Sequence, residues 1–232
     1  MIRVLQDGKK VGRCYTELCA DGRPLHETAQ KNRDHYLLQQ TLASTVHEAK
    51  SVDFGRGASY TLQFLSALGL GNLIGIDRTI ALRLRFARLA QMARQRKLRS
   101  PYSLMNGDIL TRLMPPESCD VIVSISTIEH GLSVASFMQQ ITRLLIPGGI
   151  AVITTEYWET KIDTSSKHAC GLPWCIFSRS DVEDEVLAEA ARAGLGLLEP
   201  AVVPRCGEPT VCWNGCYYTF IACGFRKNGH QA

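Results

Sequence analysis

The 232-residue sequence lacks the features that mark membrane proteins and secreted proteins. No apolar run reaches the roughly 18–20 residues that a membrane-spanning helix needs, and residues 1–7 contain no signal-peptide core. We therefore expect a cytoplasmic protein without a membrane partner. The net charge of +4 is modest and there is no basic tail, so composition gives little reason to expect a polyanionic partner.

A closely spaced cysteine pair is also missing, although the sequence contains nine cysteines. Tight zinc sites usually need a Cys-x2-Cys pair, and an odd count without a secretion signal argues against a disulfide framework. Four cysteines near the C-terminal end leave a structural zinc open: Cys206, Cys212, Cys216 and Cys223. We expect no metal and interpret the cysteines as free thiols that pack as small hydrophobic residues.

Residues 51–68 combine a strand, a Gly-x-Gly turn and an amphipathic helix. Gly55 and Gly57 lack a Cβ, so the turn can be tight and a ligand can approach the main chain. A second strand ends at Asp77, whose carboxylate is placed to accept hydrogen bonds from ribose hydroxyls. This arrangement is typical of a doubly wound sheet that binds a nucleotide-like cofactor.

The rest of this segment distinguishes between cofactors. The third glycine of a dinucleotide fingerprint is missing, because residues 58–60 are Ala-Ser-Tyr. Asp53, just before the turn, would repel a pyrophosphate but suits a cationic sulfonium or amine. An NAD-dependent oxidoreductase is therefore the less favoured alternative.

Four motifs in order resemble class I S-adenosylmethionine (SAM)-dependent methyltransferases, in particular the small-molecule, type 11-like family. They are the Gly-x-Gly segment, Asn-Gly-Asp-Ile at 106–109, the strand and following turn at 119–130, and Arg-Leu-Leu-Ile-Pro-Gly-Gly at 143–149. The resemblance implies an α/β fold: a doubly wound, Rossmann-like seven-stranded sheet with the last strand antiparallel and helices on both faces. It also implies an enzyme with SAM as cofactor and S-adenosylhomocysteine as product.

The resemblance further implies which residues bind the cofactor. The expected set is Asp53, Gly55, Gly57, Asp77, Arg78, Asp108, Ile109 and Ser126. Within it, Asp53 and the glycines would hold the methionine end, Asp77 the ribose, and Asp108 the adenine amino group with Ile109 against the ring. Two alternatives stay open, namely that Asp108 only caps a turn and that Asp77 is an ordinary acid at the end of a strand.

The catalytic candidates, Glu129 and His130, follow the fourth strand, beside the expected methyl position. An Asp/Asn-Pro-Pro-Tyr signature here would indicate methylation of an amino group on a base or amide, and it is absent. Histidine titrates near pH 6.5, about neutral, so His130 could deprotonate a hydroxyl; alternatively, it orders the loop. Glu129 could bind a metal, as in quinone-biosynthesis relatives, but no second carboxylate in this stretch supports that role.

A loop at 155–176 is the expected substrate-facing wall. Its candidate contacts with the acceptor are Tyr157, Trp158, His168 and Trp174. Aromatic side chains there could enclose a planar or sugar-like acceptor. Equally, the two tryptophans could pack the loop against the body of the protein.

We predict an N-terminal extension at 1–48 and a methyltransferase domain at 49–227. The apolar spacing predicts a helix at 26–48, either a cover for the active site or a helix packed on the sheet edge, whereas 1–25 shows no clear periodicity. Further expected elements are a helix at 133–145, strands at 150–154, 195–203 and 217–225, and a helix that begins at Ser180. The arginine-rich helix at 78–99 is interpreted as a solvated outer face, with RNA contact as the alternative.

The sequence thus predicts a SAM-dependent methyltransferase with a role in biosynthesis. It would act on a hydroxyl or carboxylate of a small-molecule metabolite or sugar. One alternative is an RNA methyltransferase that uses the arginine-rich helix, although a nucleic-acid partner is disfavoured. The other is a non-catalytic SAM-binding or scaffold protein. The sequence leaves a homodimer open.

Overall fold

The computed structural model describes residues 1–44, 48–55, 60–78, 102–169 and 171–229, and a mixed β-sheet is its central element. The strands are β1 (Ile2–Val4), β2 (Ser51–Phe54), β3 (Leu73–Asp77), β4 (Tyr102–Asn106), β5 (Cys119–Ile125), β6 (Leu145–Tyr157), β7 (His168–Ala169), β8 (Leu172–Pro173), β9 (Leu195–Leu197), β10 (Val211–Trp213) and β11 (Cys216–Lys227). The α-helices are α1 (Gly8–Ala20), α2 (Lys31–Thr41), α3 (Tyr60–Ala67), α4 (Val134–Leu144) and α5 (Ala188–Arg192), and a π-helical stretch, Asp181–Leu187, leads into α5.

The main path of the sheet runs β1-β11-β6-β5-β2-β3-β4. Its centre, from β6 to β4, is parallel, and β11 adds antiparallel to β6. One apolar core includes residues of α4, and the other includes residues of α1, α2 and α3. The predicted fold class, a doubly wound sheet with an antiparallel last strand and helices on both faces, is confirmed.

The local sequence explains the central elements. In β5, Val121, Ile122 and Val123 are all buried, as expected for a parallel strand covered on both faces. Helix α4 begins after Ser133, whose hydroxyl accepts a hydrogen bond from the Ser136 N–H at 3.3 Å, and so caps an orphan donor of the first turn. Parallel strands bring their carboxyl ends to one edge of the sheet, where ligands bind in folds of this type.

The outer edge of β11 differs from the prediction. Instead of one long strand at 195–203, three short strands divide this edge. β1 pairs with 221–223, β9 with 225–227 and β10 with 216–218. The predicted strand stops at Leu197 because β1 already occupies the adjacent part of the edge.

The N-terminal residues also differ from the prediction. Residues 1–25, which show no clear periodicity, form β1 and α1, and within the described part of 26–48 the predicted helix is confined to α2. Helix α2 buries Asn32, Arg33, Asp34 and His35 beside its apolar residues, so its buried face is partly polar. A hydrophobic pattern cannot reveal such a face.

Among the residues that the structure describes, no helix is both long and apolar enough to cross a membrane. The cytoplasmic location stays a prediction.

His35 should make the protein sensitive to acid. Its ring stacks on Phe64 at 4.5 Å, and neither ring nitrogen has a hydrogen-bond partner among the described residues. Burial, followed by the charges of His26 and Lys31, lowers the pKa of His35 to about 3. Because the unfolded histidine still takes up a proton below about pH 6.5, its stabilising contribution is complete above that pH and is lost as the pH falls towards 3.

We expect His35→Phe to flatten the dependence of the unfolding temperature on pH between about 6.5 and 4. Calorimetric scans across this range measure the slope, so a uniform change in stability would not confuse the result. His168→Phe, a change at an exposed histidine, is the control and should follow the wild type. Parallel curves for wild type and His35→Phe would contradict the prediction.

Candidate active site

The turn after β2 requires glycine at its first position. Gly55 has φ +94°, in the left-handed region, and a Cβ there would overlap the hydroxyl of Thr127. That hydroxyl donates to the Phe54 carbonyl oxygen at 3.0 Å, and the Gly55 N–H donates to the Ile76 carbonyl oxygen at 3.0 Å. The turn is therefore held closely between β3 and the segment after β5. Gly57 lies outside the described residues.

Predicted cofactor ligands lie at the carboxyl ends of β2, β3 and β4. Asp53 is buried, whereas Asp77 and Asp108 are half-buried. The Asp77 carbonyl oxygen accepts a hydrogen bond from the Gly107 N–H at 2.9 Å, so the two turns are joined. Because parallel neighbouring strands end together here, these three acids share one edge of the sheet.

Asp108 also makes contacts within the protein. Its Oδ1 accepts a hydrogen bond from the Leu110 N–H at 2.9 Å, as a capping aspartate does, and its Oδ2 lies 3.0 Å from the Arg78 guanidinium. Ile109 is buried in the apolar core. The turn-capping alternative for Asp108 is thus present in the structure beside the predicted role.

Ser126 lies at the carboxyl end of β5 in the left-handed region, with φ +49°. Its N–H donates to the Thr154 carbonyl oxygen at 3.0 Å, and its hydroxyl contacts Nζ of Lys31 at the start of α2. The N-terminal segment therefore reaches the same edge of the sheet as the predicted cofactor ligands.

Glu129 is a fully buried carboxyl group in this region. Its Oε2 accepts a hydrogen bond from the Thr155 hydroxyl at 3.0 Å, while its Oε1 has no hydrogen-bond partner among the described residues. Burial, followed by the charge of Glu156, raises the pKa of Glu129 to about 8, and Lys31 opposes this rise. Glu129 therefore changes its protonation state near neutral pH, and its deprotonated form can accept a proton there.

Glu156, near the end of β6, is the second carboxyl group. It accepts hydrogen bonds from the Trp174 indole N–H and, at 3.2 Å, from the Tyr218 hydroxyl. Burial raises its pKa too, and Lys31 and both hydrogen bonds oppose the rise. Glu129 and Glu156 are here called the acid pair, because a negative charge on Glu156 disfavours a second negative charge on Glu129.

His130 is half-buried and its backbone N–H donates to the Thr127 carbonyl oxygen at 3.1 Å. Its role as a general base stays a prediction. Among the described residues, no three histidine, cysteine, aspartate or glutamate side chains are grouped as metal ligands.

The aromatic residues of the predicted substrate loop differ in their surroundings. Tyr157 is fully buried, and its hydroxyl donates to Glu159 at 3.0 Å. Trp174 is buried and packs edge-on against Trp213 and Tyr218. Trp158 is half-buried. Trp174 thus makes packing contacts of the kind expected if the tryptophans hold the loop against the body of the protein, and the role of these residues in acceptor binding stays a prediction.

His168 is exposed on β7, which forms a small hairpin with β8.

Sequence reasoning missed Lys31, and it named Glu156 only as part of the loop. Glu156 lies two residues beyond the predicted strand at 150–154, so the alternation of that strand could have placed it on the same face as Thr154. No local signal identifies Lys31, because its position depends on the packing of α2.

Comparison with known families supports one class of protein. Residues 52–153, from β2 into β6, match a family model described as a methyltransferase domain. This match includes the glycine turn and supports a SAM-dependent methyltransferase domain with S-adenosyl-L-methionine as its cofactor. No curated protein matches the chain significantly in sequence.

Solved structures share the fold at low sequence identity. A SAM-dependent methyltransferase from Methanosarcina mazei is 12% identical with a TM-score of 0.63, over 82% of this chain and 98% of that one. A Haemonchus contortus phosphoethanolamine N-methyltransferase in complex with SAM is 14% identical with a TM-score of 0.60, over 84% of this chain and 52% of that one. A Galdieria sulphuraria protein, a candidate sarcosine dimethylglycine methyltransferase, is 17% identical with a TM-score of 0.59, over 94% and 98%.

Proposed function

We propose that this enzyme methylates a hydroxyl group of a small-molecule metabolite or sugar, and that Glu129 accepts the proton of that hydroxyl. The observation that carries the proposal is the buried Glu129 carboxyl, whose Oε1 has no hydrogen-bond partner among the described residues. A general base works best when its pKa lies near the working pH. The raised pKa of Glu129, about 8, meets this condition better than that of an exposed carboxylate.

SAM, when bound, supplies an electrophilic methyl group, and the product is S-adenosylhomocysteine. We propose that the predicted set holds it: Asp53, Gly55, Gly57, Asp77, Arg78, Asp108, Ile109 and Ser126. The close fit of Gly55 against Thr127 supports this assignment, because it leaves no room for a Cβ at the turn. We further propose that residues 1–48 cover this edge, since Lys31 contacts Ser126.

A hydroxyl acceptor fits the acid pair better than a carboxylate does. A carboxylate needs no general base, and its charge would be repelled by Glu156. An amine is a second candidate, because two buried carboxyl groups favour a cation; the H. contortus and G. sulphuraria proteins are named for such acceptors. A cytoplasmic location and a homodimer remain predictions.

The RNA alternative depends on the arginine-rich helix predicted at 78–99. Residues 79–99 lie outside the described residues, and Arg78 pairs with Asp108.

The test is release of S-adenosylhomocysteine from SAM with matched panels of small hydroxyl compounds, carboxylic acids, amines and RNA. We expect turnover in the hydroxyl panel and O-methylated products by mass spectrometry. Turnover confined to amines, carboxylic acids or RNA would overturn the assignment of the acceptor.

Asp77→Ala should weaken SAM binding. A ligand at a hundredfold excess over its Kd stabilises the folded protein by about 2.7 kcal/mol, and thermal unfolding with and without SAM measures this gain. We expect Asp77→Ala to lose most of it, since ribose contacts are removed. Asp163→Ala, at an exposed acid in the loop, should retain it. Equal gains in both variants would contradict the proposed role of Asp77.

A further inference from the structure

Lys31 lies at the start of α2, and its side chain is 13% exposed. Its Nζ contacts the Ser126 hydroxyl, lies 3.7 Å from Oδ2 of Asp34, and lies 3.8 Å from the centre of the Phe220 ring. A nearly buried ammonium group with an aromatic face beside it is held in place and partly desolvated.

The ion pair with Asp34 does not fully neutralise the charge of Lys31. The guanidinium of Arg33 lies closer to Asp34, at 3.2 Å, and the Thr154 hydroxyl donates to the same carboxylate at 3.4 Å. Two cations therefore share one buried carboxylate. The excess positive charge faces the carboxyl ends of β5 and β6.

The sheet register places Glu156 near this charge. Phe220, under the ammonium group of Lys31, is the direct antiparallel partner of Glu156. Directly opposed residues have their side chains on the same face, with Cβ atoms about 4.5–5.5 Å apart. Tyr218, two residues along β11, donates to Glu156. Phe220 of β11 thus links Lys31 of α2 to Glu156 of β6.

The groups that face Glu129 come from several elements. Glu156 and Thr155 belong to β6, Cys175 follows β8, Tyr218 belongs to β11, Lys31 belongs to α2, and His130 is the next residue along the chain. Burial raises the pKa of Cys175 to about 12 and that of Tyr218 well above its ordinary value, so both are neutral at pH 7. Glu156 opposes ionisation of Glu129, and Lys31 favours it.

We propose that Lys31 is a positioning residue for methyl transfer: its ammonium group, held against Ser126 and over Phe220 beside Glu156, favours the charged form of Glu129 that accepts the proton of the acceptor. This inference rests on the proposed function, because it assigns a task to the same acid pair. In addition, it makes the N-terminal segment part of the catalytic apparatus. A purely structural Lys31 would fix α2 on the sheet and leave the titration of both glutamates unchanged.

The experiment is a titration of the glutamate side chains by NMR, with ¹³C-labelled carboxyl groups, on the SAM-free protein. Glu129→Gln and Glu156→Gln assign the two signals. We expect Lys31→Met to raise the titration midpoint of Glu129 by roughly one pH unit or more, the usual effect of losing a nearby opposite charge. Lys31→Arg keeps the charge and should leave the midpoint close to that of the wild type.

Lys227→Met is the matched control, because the side chain of Lys227 is 11% exposed and pairs with Glu117 rather than with the acid pair. It should lower stability without moving the Glu129 midpoint. If Lys31→Met does not fold, Lys31→Gln provides the same measurement with a polar side chain. An unchanged Glu129 midpoint in the folded variant would overturn the role of Lys31, whatever its stability.

The same titration separates this inference from the proposed function. If wild-type Glu129 titrates near the ordinary value for glutamate, both the proposed role of Glu129 as general base and the inference about Lys31 are wrong. A raised wild-type midpoint that Lys31→Met leaves in place would remove only the inference. Once an acceptor is known, the pH profile of kcat should shift upward in Lys31→Met by the same amount as the midpoint.

Discussion

Replacing Glu129 with glutamine should lower kcat about 10²–10⁴-fold, the contribution that a positioned general base usually makes. Glutamine has a similar shape and can still accept the hydrogen bond from Thr155, but it cannot take up the acceptor's proton. Stabilisation by SAM should be unchanged. The loss should therefore appear in kcat and not in cofactor binding, which separates it from a general disturbance of the site.

The dependence on pH gives a second readout of Glu129. Because its folded pKa is about 8, wild-type activity should rise as the pH increases towards and past 8, and this rise should be missing in Glu129→Gln. Stability should change in the opposite direction. The folded protein keeps this proton to a higher pH than the unfolded chain does, so stability is lost as the pH rises from about 4.5 through 8. Glu129→Gln should remove that loss.

His130→Ala is the decisive comparison, since His130 is the other candidate base. If Glu129 is the base, this variant should keep the rise of activity near pH 8. A large loss of kcat in His130→Ala, together with near-normal kcat in Glu129→Gln, would transfer the role to the histidine.

Gly55→Ala is expected to be among the most damaging single substitutions outside the acid pair. A left-handed conformation costs a non-glycine residue roughly 1–2 kcal/mol. The new Cβ would also displace the Thr127 hydroxyl from the Phe54 carbonyl, and overpacking of this kind costs about 1–3 kcal/mol more. Urea unfolding should show the sum of both effects, and stabilisation by SAM should fall because the turn must open.

Gly148→Ala separates the two contributions. Gly148 also has a positive φ, +80°, but a Cβ there meets nothing within 4 Å. It should therefore cost only the conformational part. If Gly55→Ala costs no more than Gly148→Ala, then the contact with Thr127 does not define the turn. Adding Thr127→Ala to Gly55→Ala should recover part of the loss.

Much of the central sheet could be predicted from the sequence because its signals are local. The apolar run of β5 and the glycine turn after β2 each identify their element within a few residues. Strand β1 could not be found in this way, because three residues form a strand only by pairing with 221–223. Helix α2 was placed inaccurately, since its buried Arg33 and Asp34 interrupt the apolar spacing.

The candidate site divides in the same way. Asp53, Gly55 and Asp77 are recognisable because the ends of parallel strands carry them in a fixed order. The acid pair is not recognisable, because Glu129 lies in the turn after β5, Glu156 lies on β6, and Lys31 comes from a helix far earlier in the chain. Burial, which raises the pKa of both glutamates, is a property of the folded protein.

The long strand β11 has a consequence for the order of folding during synthesis. It lies between β6 and β1, and its pairing of Ile2 with Cys223 joins residues more than 200 positions apart. Contacts of such long range form slowly, because a large loop must be closed first. Lys31 rests on Phe220 of this strand. A nascent chain that has emerged only as far as β6 would therefore carry the parallel strands and both glutamates but would lack the Phe220 ring on which Lys31 rests. With Lys31 in its proposed role, such a chain would become catalytically competent only after β11 leaves the ribosome.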